Sequence, residues 1–212
     1  EVGRRGRLVE VGRVAEHWYA EQLTGAAEAR PGRRFLADRG FDRETAARFT
    51  VGYAPRSGEA LLKHLRGKGF TDDEIVRAGL AGRGQRGPYD RFRGRLVWPI
   101  HDITGDCVGF GARRLFDDDR IEAKYLNTSD TPLFKKSQVL FGLDLAKREI
   151  IKQRKVVVVE GYLPGLDHRH FPGEFGHRDG GATLAPALTA HGRSPDSSVA
   201  RQNVTDRERP GP

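Results

Sequence analysis

The 212-residue sequence predicts an α+β fold, in which short helices precede an antiparallel sheet and a buried strand follows near the end. Three observations support this prediction. Apolar residues recur at helical spacing before Gly79, two strand-like segments joined by a turn occupy residues 91–115, and residues 156–159 are four consecutive valines. A short β-branched run of this kind is typical of a strand that is buried on both faces.

The first part of the chain is predicted to be helical after a flexible start over residues 1–13. Between residues 14 and 23 the apolar positions are spaced by three and four, which is the period of one helix face. A helical hairpin is predicted over residues 34–49, where Gly40 interrupts the pattern. We expect these helices to pack against the rest of the fold.

A short strand and two further helices are predicted next. Residues 50–54 have the composition of a strand, and helices are predicted over residues 57–65 and 71–78. The second helix begins with Thr71 followed three positions later by Glu74, the pattern of a capping box.

The sheet is predicted after Gly79, where the character of the sequence changes. Glycines make residues 82–88 a loop, and residues 91–100 and 106–115 form two strands of a β-hairpin. Residues 124–127 are a candidate third strand.

The last predicted elements are a helix and the valine strand. Leu143, Ala146 and Ile150 share one face of the helix, with basic residues on the other faces. The strand over residues 156–159 is followed directly by Glu160.

Charge and composition change at about residue 162. The chain has a net charge of +8, whereas residues 163–212 hold six arginines against six carboxylates and six of the eleven prolines. No clean helix or strand period continues there. We therefore expect a basic domain over residues 14–155, the first strand of an α/β unit over 156–162, and a non-native or disordered tail over 163–212.

Several classes of protein are excluded by composition. No run of 18 apolar residues exists and no apolar stretch opens the chain, so we expect a cytoplasmic protein with no membrane contact. The single cysteine, Cys107, excludes an internal disulfide and any zinc site with more than one cysteine ligand. Because methionine is absent, we expect a fragment or a truncated gene model, with removal of an initiator methionine as the alternative.

The first group with chemical potential consists of arginines interleaved with aromatic residues. Arg91, Arg93 and Arg95 are two apart, so in a strand their guanidinium groups project from one face and follow phosphates. Trp98 and Phe110 offer rings for stacking on unpaired bases. The equally weighted alternative is a solvated sheet face with its aromatic residues in the core.

Three other groups are candidates with structural alternatives. Lys124 beside Tyr125, with Lys135 and Lys136 further on, suits a phosphate or nucleotide, or simply an exposed strand and loop. Glu160 stands at the carboxyl end of a buried strand, where α/β sheets place ligands, and can bind Mg²⁺ or be an ordinary loop residue. Aspartates 117–119 can hold a cation or form a solvated turn.

Five blocks in one order carry a resemblance to a known family. They are RFLADRGF (34–41), DRFRGRLVWPI (90–100), GFGARRLF (109–116), KYLNTSDTPLFKKSQVLFGLDLA (124–146) and VVVVEGY (156–162). Together they resemble the catalytic core of bacterial DNA primase, in an actinobacterial version, over roughly residues 14–162. The resemblance implies the amino-terminal basic subdomain of the RNA-polymerase domain, which runs into the first strand of Toprim, a metal-binding α/β fold.

The resemblance also implies roles for individual residues. Glu160 matches the Toprim glutamate that takes part in catalysis with Mg²⁺ or Mn²⁺. The residues that match the basic groove and the template and initiating-nucleotide contacts are Arg91, Arg93, Arg113, Lys124, Tyr125 and Lys136. The reaction implied is template-directed synthesis of short RNA primers on single-stranded DNA during replication.

The implied partners are single-stranded DNA, ribonucleotides, the replicative helicase and single-stranded-DNA-binding protein, in the bacterial cytoplasm at the nucleoid. Where the family continues with further aspartates, Leu163 and Pro164 follow here, and the family's zinc-binding and helicase-interacting domains are not in this sequence. We therefore expect an incomplete Mg²⁺ site, no primer synthesis by this chain alone, and a reading-frame shift or wrongly extended gene model after residue 162. The alternatives are a single-stranded nucleic-acid-binding module without catalysis and a fragment of another Toprim enzyme.

Overall fold

The computed structural model describes residues 2–154 together with two later strands, and its fold is α+β as predicted. The helices are α1 (Val2–Gly25), α2 (Arg30–Ala37), α3 (Arg43–Arg48), α4 (Ala60–Gly67), α5 (Asp72–Arg77) and α6 (Leu143–Gln153). The strands are β1 (Gly52–Ala54), β2 (Ala81–Gly84), β3 (Gly87–Asp90), β4 (Arg95–His101), β5 (Cys107–Arg114), β6 (Tyr125–Asn127), β7 (Leu140–Phe141), β8 (Val156–Val158) and β9 (Ala182–Pro186). Within the described part of the chain, no helix is long and apolar enough to cross a membrane.

The central sheet has four antiparallel strands in the order β1-β4-β5-β6. The predicted hairpin is confirmed as β4 and β5, in which Trp98 pairs with Gly111. Its turn is held by Asp102, whose Oδ1 accepts hydrogen bonds from the backbone N–H groups of Thr104 and Asp106 at 2.9 and 3.1 Å. Strand β6, the predicted third strand, forms one edge of this sheet.

Helix α1 corrects the expectation of a flexible start over residues 1–13. The helix begins at Val2, and its Leu8 and Val11 are buried in the core. Arg7 holds the same segment to α5, because its Nε donates to Glu74 at 2.9 Å. Leu8 and Val11 stand seven and four positions before Ala15, so they continue the helical period of residues 14–23 towards the start of the chain.

Helix α1 lies directly against the sheet because glycines occupy the contact, Gly52 on the sheet and Gly12 on the helix. A Cβ atom at Gly52 of β1 would lie 2.5 Å from the Tyr19 Cβ and 2.7 Å from the Tyr19 carbonyl carbon. A Cβ at Gly12 would lie 2.6 Å from the carbonyl oxygen of Cys107. The close approach lets the Tyr19 ring meet the edge of the Phe110 ring in the core, with 5.6 Å between centroids.

Two local predictions are refined and one is confirmed. The glycine-rich residues 82–88 belong to a small hairpin, β2–β3, in which Gly82 pairs with Tyr89, rather than to a loop. The predicted strand over residues 91–100 begins only at Arg95. The capping box at the start of α5 is confirmed, with the backbone N–H of Thr71 donating to Glu74 at 2.7 Å.

The valine strand β8 pairs in parallel with β9, and β9 pairs in antiparallel fashion with β7. Strand β9 lies within residues 163–212, where the sequence predicted no fold, so for Ala182–Pro186 that expectation is corrected. The backbone of β9 pairs with backbone N–H and C=O groups of β8 that would have no partner in an isolated strand. The rest of that segment, and with it the expected reading-frame shift, lies outside the described residues.

Candidate nucleic-acid interface

Four of the predicted binding residues meet at β6, the edge strand of the sheet. Arg113 of β5 lies directly opposite Tyr125 of β6. The Lys124 Nζ is 5.7 Å from the centroid of the Tyr125 ring. The Arg91 guanidinium donates from Nε and Nη2 to the backbone carbonyl of Asn127, the last residue of β6, at 3.2 and 2.9 Å. Segments that are separate in sequence thus place three cations and a tyrosine together.

The ring of Phe35 extends this cluster in a way that the sequence reasoning missed. The guanidinium carbons of Arg39 and Arg113 lie 3.6 and 3.7 Å from its centroid. At that distance two groups on one face of the ring would overlap each other, so the two arginines stack on opposite faces. The only sequence signal is the RFLADRGF block, in which Phe35 and Arg39 are one helical turn apart.

Partial burial orients the arginines of this cluster without removing their charge. Burial lowers the pKa of Arg113, and the nearby Arg39 adds to the effect, while Tyr125 opposes it. Burial also lowers the pKa of Arg91. An arginine whose pKa is lowered in this way is still a cation at neutral pH. Two carbonyl-directed hydrogen bonds therefore hold Arg91 in place and leave a full positive charge beside β6.

Arg93 and Lys136 are placed apart from the β6 cluster. The Arg93 guanidinium carbon lies 5.6 Å from the ring centroid of Tyr89, towards the β2–β3 hairpin. Lys136 is half-buried in the connection after β6, where its backbone N–H donates to Asp130 at 3.4 Å. By contrast, the Arg113 guanidinium lies over the ring of Phe35.

Arg95 corrects the prediction that Arg91, Arg93 and Arg95 share one exposed face. Its side chain is 1% exposed, and its Nε donates to Asp119 at 2.7 Å. Gly94, with a φ of 62°, breaks the extended alternation before β4, so Arg91 and Arg93 precede the strand.

The ion pair between Arg95 and Asp119 explains the acidic turn over residues 117–119. Two further N–H groups of Arg95 donate to the carbonyls of Ala123 and Ile121 at 2.9 and 2.7 Å. Asp119 is the counterion of this buried guanidinium, so it is neither a cation ligand nor a simple solvated residue. The pairing orders the connection that leads into β6.

The aromatic residues of the hairpin belong to the core. Trp98, Phe92 and Phe110 are each 1% exposed, as the structural alternative predicted, and cannot stack on bases. Tyr89 is 40% exposed. Rings available to a ligand therefore lie near the arginines outside the hairpin core rather than along β4 and β5.

The predicted binding cations, both at β6 and apart from it, are not paired with carboxylates. Among residues 2–154, none of the five predicted binding cations forms an ion pair with a carboxylate. These cations are Arg91, Arg93, Arg113, Lys124 and Lys136. Such positive charges attract phosphates, and the attraction weakens as salt is added.

Glu160, the predicted catalytic and metal-binding residue, lies outside the described residues. The Mg²⁺ site expected around it lies outside them as well.

An α+β domain with a cation-rich sheet edge is typical of proteins that bind nucleic acids. Residues 18–147 match the family described as DNA primase catalytic core, N-terminal domain. The chain therefore belongs to the DNA primase family, as the resemblance implied, and the alternative of a different Toprim enzyme is wrong.

The curated relatives that match are DNA primases. The chain is 59% identical over 160 residues to the DNA primase of Streptomyces coelicolor and 55% identical to that of Mycolicibacterium smegmatis. Each alignment covers 76% of this chain and 25% of the relative. The chain thus spans about a quarter of the length of the curated relatives it matches, and the actinobacterial character is confirmed.

Solved structures of primases share the fold. The RNA polymerase domain of Mycobacterium tuberculosis primase DnaG matches with a TM-score of 0.79 and 46% identity, covering 89% of this chain and 59% of that one. A DnaG primase catalytic domain bound to single-stranded DNA matches with a TM-score of 0.74 and 29% identity, covering 90% of this chain and 56% of that one.

Proposed function

We propose that this chain binds the single-stranded DNA template of a primase through the edge of its central sheet. The observation that carries the proposal is the cluster at β6, where Arg91, Arg113 and Lys124 have no carboxylate partner among the described residues and stand beside Tyr125 and Phe35. Cations contact phosphates and the Tyr125 ring can stack on a base, which together bind single strands with little sequence preference.

The arrangement at β6 suits a flexible single strand better than an isolated anion. The cations are distributed along the strand, with Arg91 at its Asn127 end and Lys124 before its Tyr125 end. Successive phosphates of one strand can therefore meet successive positive charges. The related catalytic domain bound to single-stranded DNA supports this choice of ligand.

Primer synthesis is our proposal for the whole protein, of which this chain matches about a quarter. In that proposal a ribonucleotide 3′-hydroxyl attacks an incoming triphosphate, and Glu160 binds the Mg²⁺ or Mn²⁺ that offsets charge on the phosphoryl group. The replicative helicase and single-stranded-DNA-binding protein are proposed partners of the whole primase, in the cytoplasm at the replicating nucleoid.

Fluorescence anisotropy with a labelled single-stranded oligodeoxynucleotide tests template binding by the 212-residue chain. Arg113→Ala and Lys124→Ala are each expected to weaken binding several-fold. Each is also expected to reduce the slope of log affinity against log salt by about 0.7, the value for one phosphate contact on a single strand.

Arg66→Ala is the matched control for these two variants. Arg66 carries the same charge on an exposed side chain, but it donates to Asp72 from Nε and Nη2 at 2.7 and 3.0 Å, so its charge is already paired. The control is expected to bind like the unaltered chain. Equal losses in Arg66→Ala and Arg113→Ala would show that the affinity depends on net charge alone, and the proposal would be abandoned.

A further inference from the structure

Three metal-ligating side chains meet at the turn between β4 and β5, away from the β6 cluster. Glu16 comes from α1, His101 ends β4 and Cys107 begins β5, and one ligand atom of each lies within 4.8 Å of the others. His101 and Cys107 are register partners beside an irregularity in the β4–β5 pairing. The Glu16 Oε1 and Oε2 atoms lie 3.1 and 3.2 Å from the His101 Nε2.

The cluster is held in place from two sides. Helix α1 approaches the turn so closely that a Cβ at Gly12 would lie 2.6 Å from the Cys107 carbonyl oxygen, and Glu16 follows one helical turn later. On the far side of the imidazole, the Asp144 Oδ2 of α6 lies 3.6 Å from the His101 Nδ1. A histidine that binds a metal ion through one ring nitrogen usually donates a hydrogen bond from the other, often to a carboxylate. Asp144 is placed to accept that bond.

Burial distinguishes this cluster from an ordinary surface pair. The Glu16 and His101 side chains are 14% and 19% exposed, and Cys107 is 3% exposed. The neighbouring pair His17 and Glu21 has the same 3.1 Å separation between Nε2 and Oε1, but its side chains are 80% and 57% exposed. Only the buried pair has a thiol beside it.

We propose that Glu16, His101 and Cys107 bind one Zn²⁺ ion through a carboxylate oxygen, Nε2 and Sγ, with a water molecule as the fourth ligand. A mixed set of sulfur, nitrogen and oxygen donors favours Zn²⁺ over Mg²⁺ and Ca²⁺, which prefer oxygen ligands alone. The site is therefore separate from the Mg²⁺ site predicted at Glu160.

Binding replaces the direct Glu16–His101 contact by two bonds to the metal ion. Burial raises the pKa of the Cys107 thiol, so the metal-free thiol is protonated. That proton, and the Nε2 proton that His101 donates to Glu16, pass to solvent when the sulfur and the nitrogen bind the ion. The ion then joins α1 to the β4–β5 turn, and Asp144 links α6 to the same point through the imidazole.

Co²⁺ is the probe for the sulfur ligand, because Cys107 is the only cysteine of the chain. Chelator-treated, tag-free protein is titrated with Co²⁺ and then with Zn²⁺. We expect a near-ultraviolet thiolate-to-Co²⁺ charge-transfer band that saturates at one ion per chain and disappears when Zn²⁺ replaces Co²⁺. Cys107→Ser is expected to abolish the band, and Glu16→Gln and His101→Gln to weaken Co²⁺ binding at least tenfold.

His17→Gln is the matched control, since it removes the exposed histidine of the same helix, and its band is expected to be unchanged. A second measurement does not depend on whether Cys107→Ser folds. Zn²⁺ is expected to raise the melting temperature of the unaltered chain in proportion to the logarithm of its concentration, and to raise that of Glu16→Gln only at concentrations at least tenfold higher. The proposal would be overturned if the charge-transfer band were absent, if His101→Gln bound Co²⁺ as tightly as the unaltered chain, or if Zn²⁺ left the melting temperature unchanged. Glu16 and His101 would then form an ion pair and no metal site.

Discussion

Replacing Asp119 with asparagine tests whether the buried guanidinium of Arg95 orders the connection between β5 and β6. Asparagine keeps the shape of the side chain and removes its charge. Arg95 then retains its hydrogen bonds to the carbonyls of Ile121 and Ala123 but loses its counterion. Burial already lowers the pKa of Arg95, which shows that its surroundings disfavour an uncompensated charge.

The expected loss in the free energy of unfolding is about 3 kcal/mol. Removing one partner of a buried ion pair costs about 3–5 kcal/mol, and Asp119, at 13% exposure, places this pair at the lower end of that range. For a chain of this length such a loss corresponds to a decrease of about 6–12 °C in melting temperature. Urea denaturation followed by tryptophan fluorescence measures it, because Trp98 is buried in β4.

Asp118→Asn is the matched control, because the adjacent aspartate pairs with Arg56 at the surface. The Arg56 and Asp118 side chains are 49% and 65% exposed, so their pair contributes about 0–1 kcal/mol. The two variants remove the same charge from the same turn. If they destabilise the chain to the same extent, burial of Arg95 does not decide the outcome, and the reasoning is refuted.

Two further predictions concern local packing and capping. Thr71→Ala is expected to lower the free energy of unfolding by about 1 kcal/mol, because Thr71 Oγ1 accepts the backbone N–H of Glu74 at the start of α5. The backbone hydrogen bond from Thr71 lowers the pKa of Glu74, so its stabilisation is present above the ordinary pKa of glutamate, about 4.3, and is lost as the pH falls below it. Urea midpoints measured across this pH range should vary less with pH in Glu74→Gln than in the unaltered chain. The same pH dependence in both proteins would contradict the capping geometry. Gly52→Ala is expected to cost about 3 kcal/mol, because a Cβ there meets the backbone of Tyr19 at 2.7 Å. Gly6→Ala is the control, because a Cβ at this position of α1 has nothing within 4 Å. This variant is expected to raise the free energy of unfolding by about 0.5–1 kcal/mol. Similar urea midpoints for the Gly52→Ala and Gly6→Ala variants would argue against the close helix–strand contact.

Much of the fold was predictable because its signals are local. The β4–β5 hairpin follows from two apolar runs around a turn, and the start of α5 follows from the spacing of Thr71 and Glu74. The beginning of α1 was missed, although Leu8 and Val11 continue the helical period that reaches Ala15 and Trp18. Their burial depends on the elements that pack against them later in the chain.

The candidate site divides in the same way. The ordered sequence blocks indicated Arg91, Arg113, Lys124 and Tyr125, which the structure brings to one sheet edge. The stacking of Phe35 between two arginines was missed, because it joins the end of α2 to β5 across a long stretch of chain. Contacts of this kind leave no periodic pattern in the sequence.

The sequence by itself determined the fold class, the basic character and the family of this protein, since these depend on composition, spacing and ordered motifs. Only the tertiary structure decided which arginines lie at the edge of the sheet and which are buried beneath it. Arg91 and Arg95 look equivalent in sequence, yet Arg95 is buried against Asp119, 24 residues away, while Arg91 lies beside β6. The physical reason is that a guanidinium group can be buried only where a distant carboxylate and carbonyl groups converge on it, and chain folding alone brings them together.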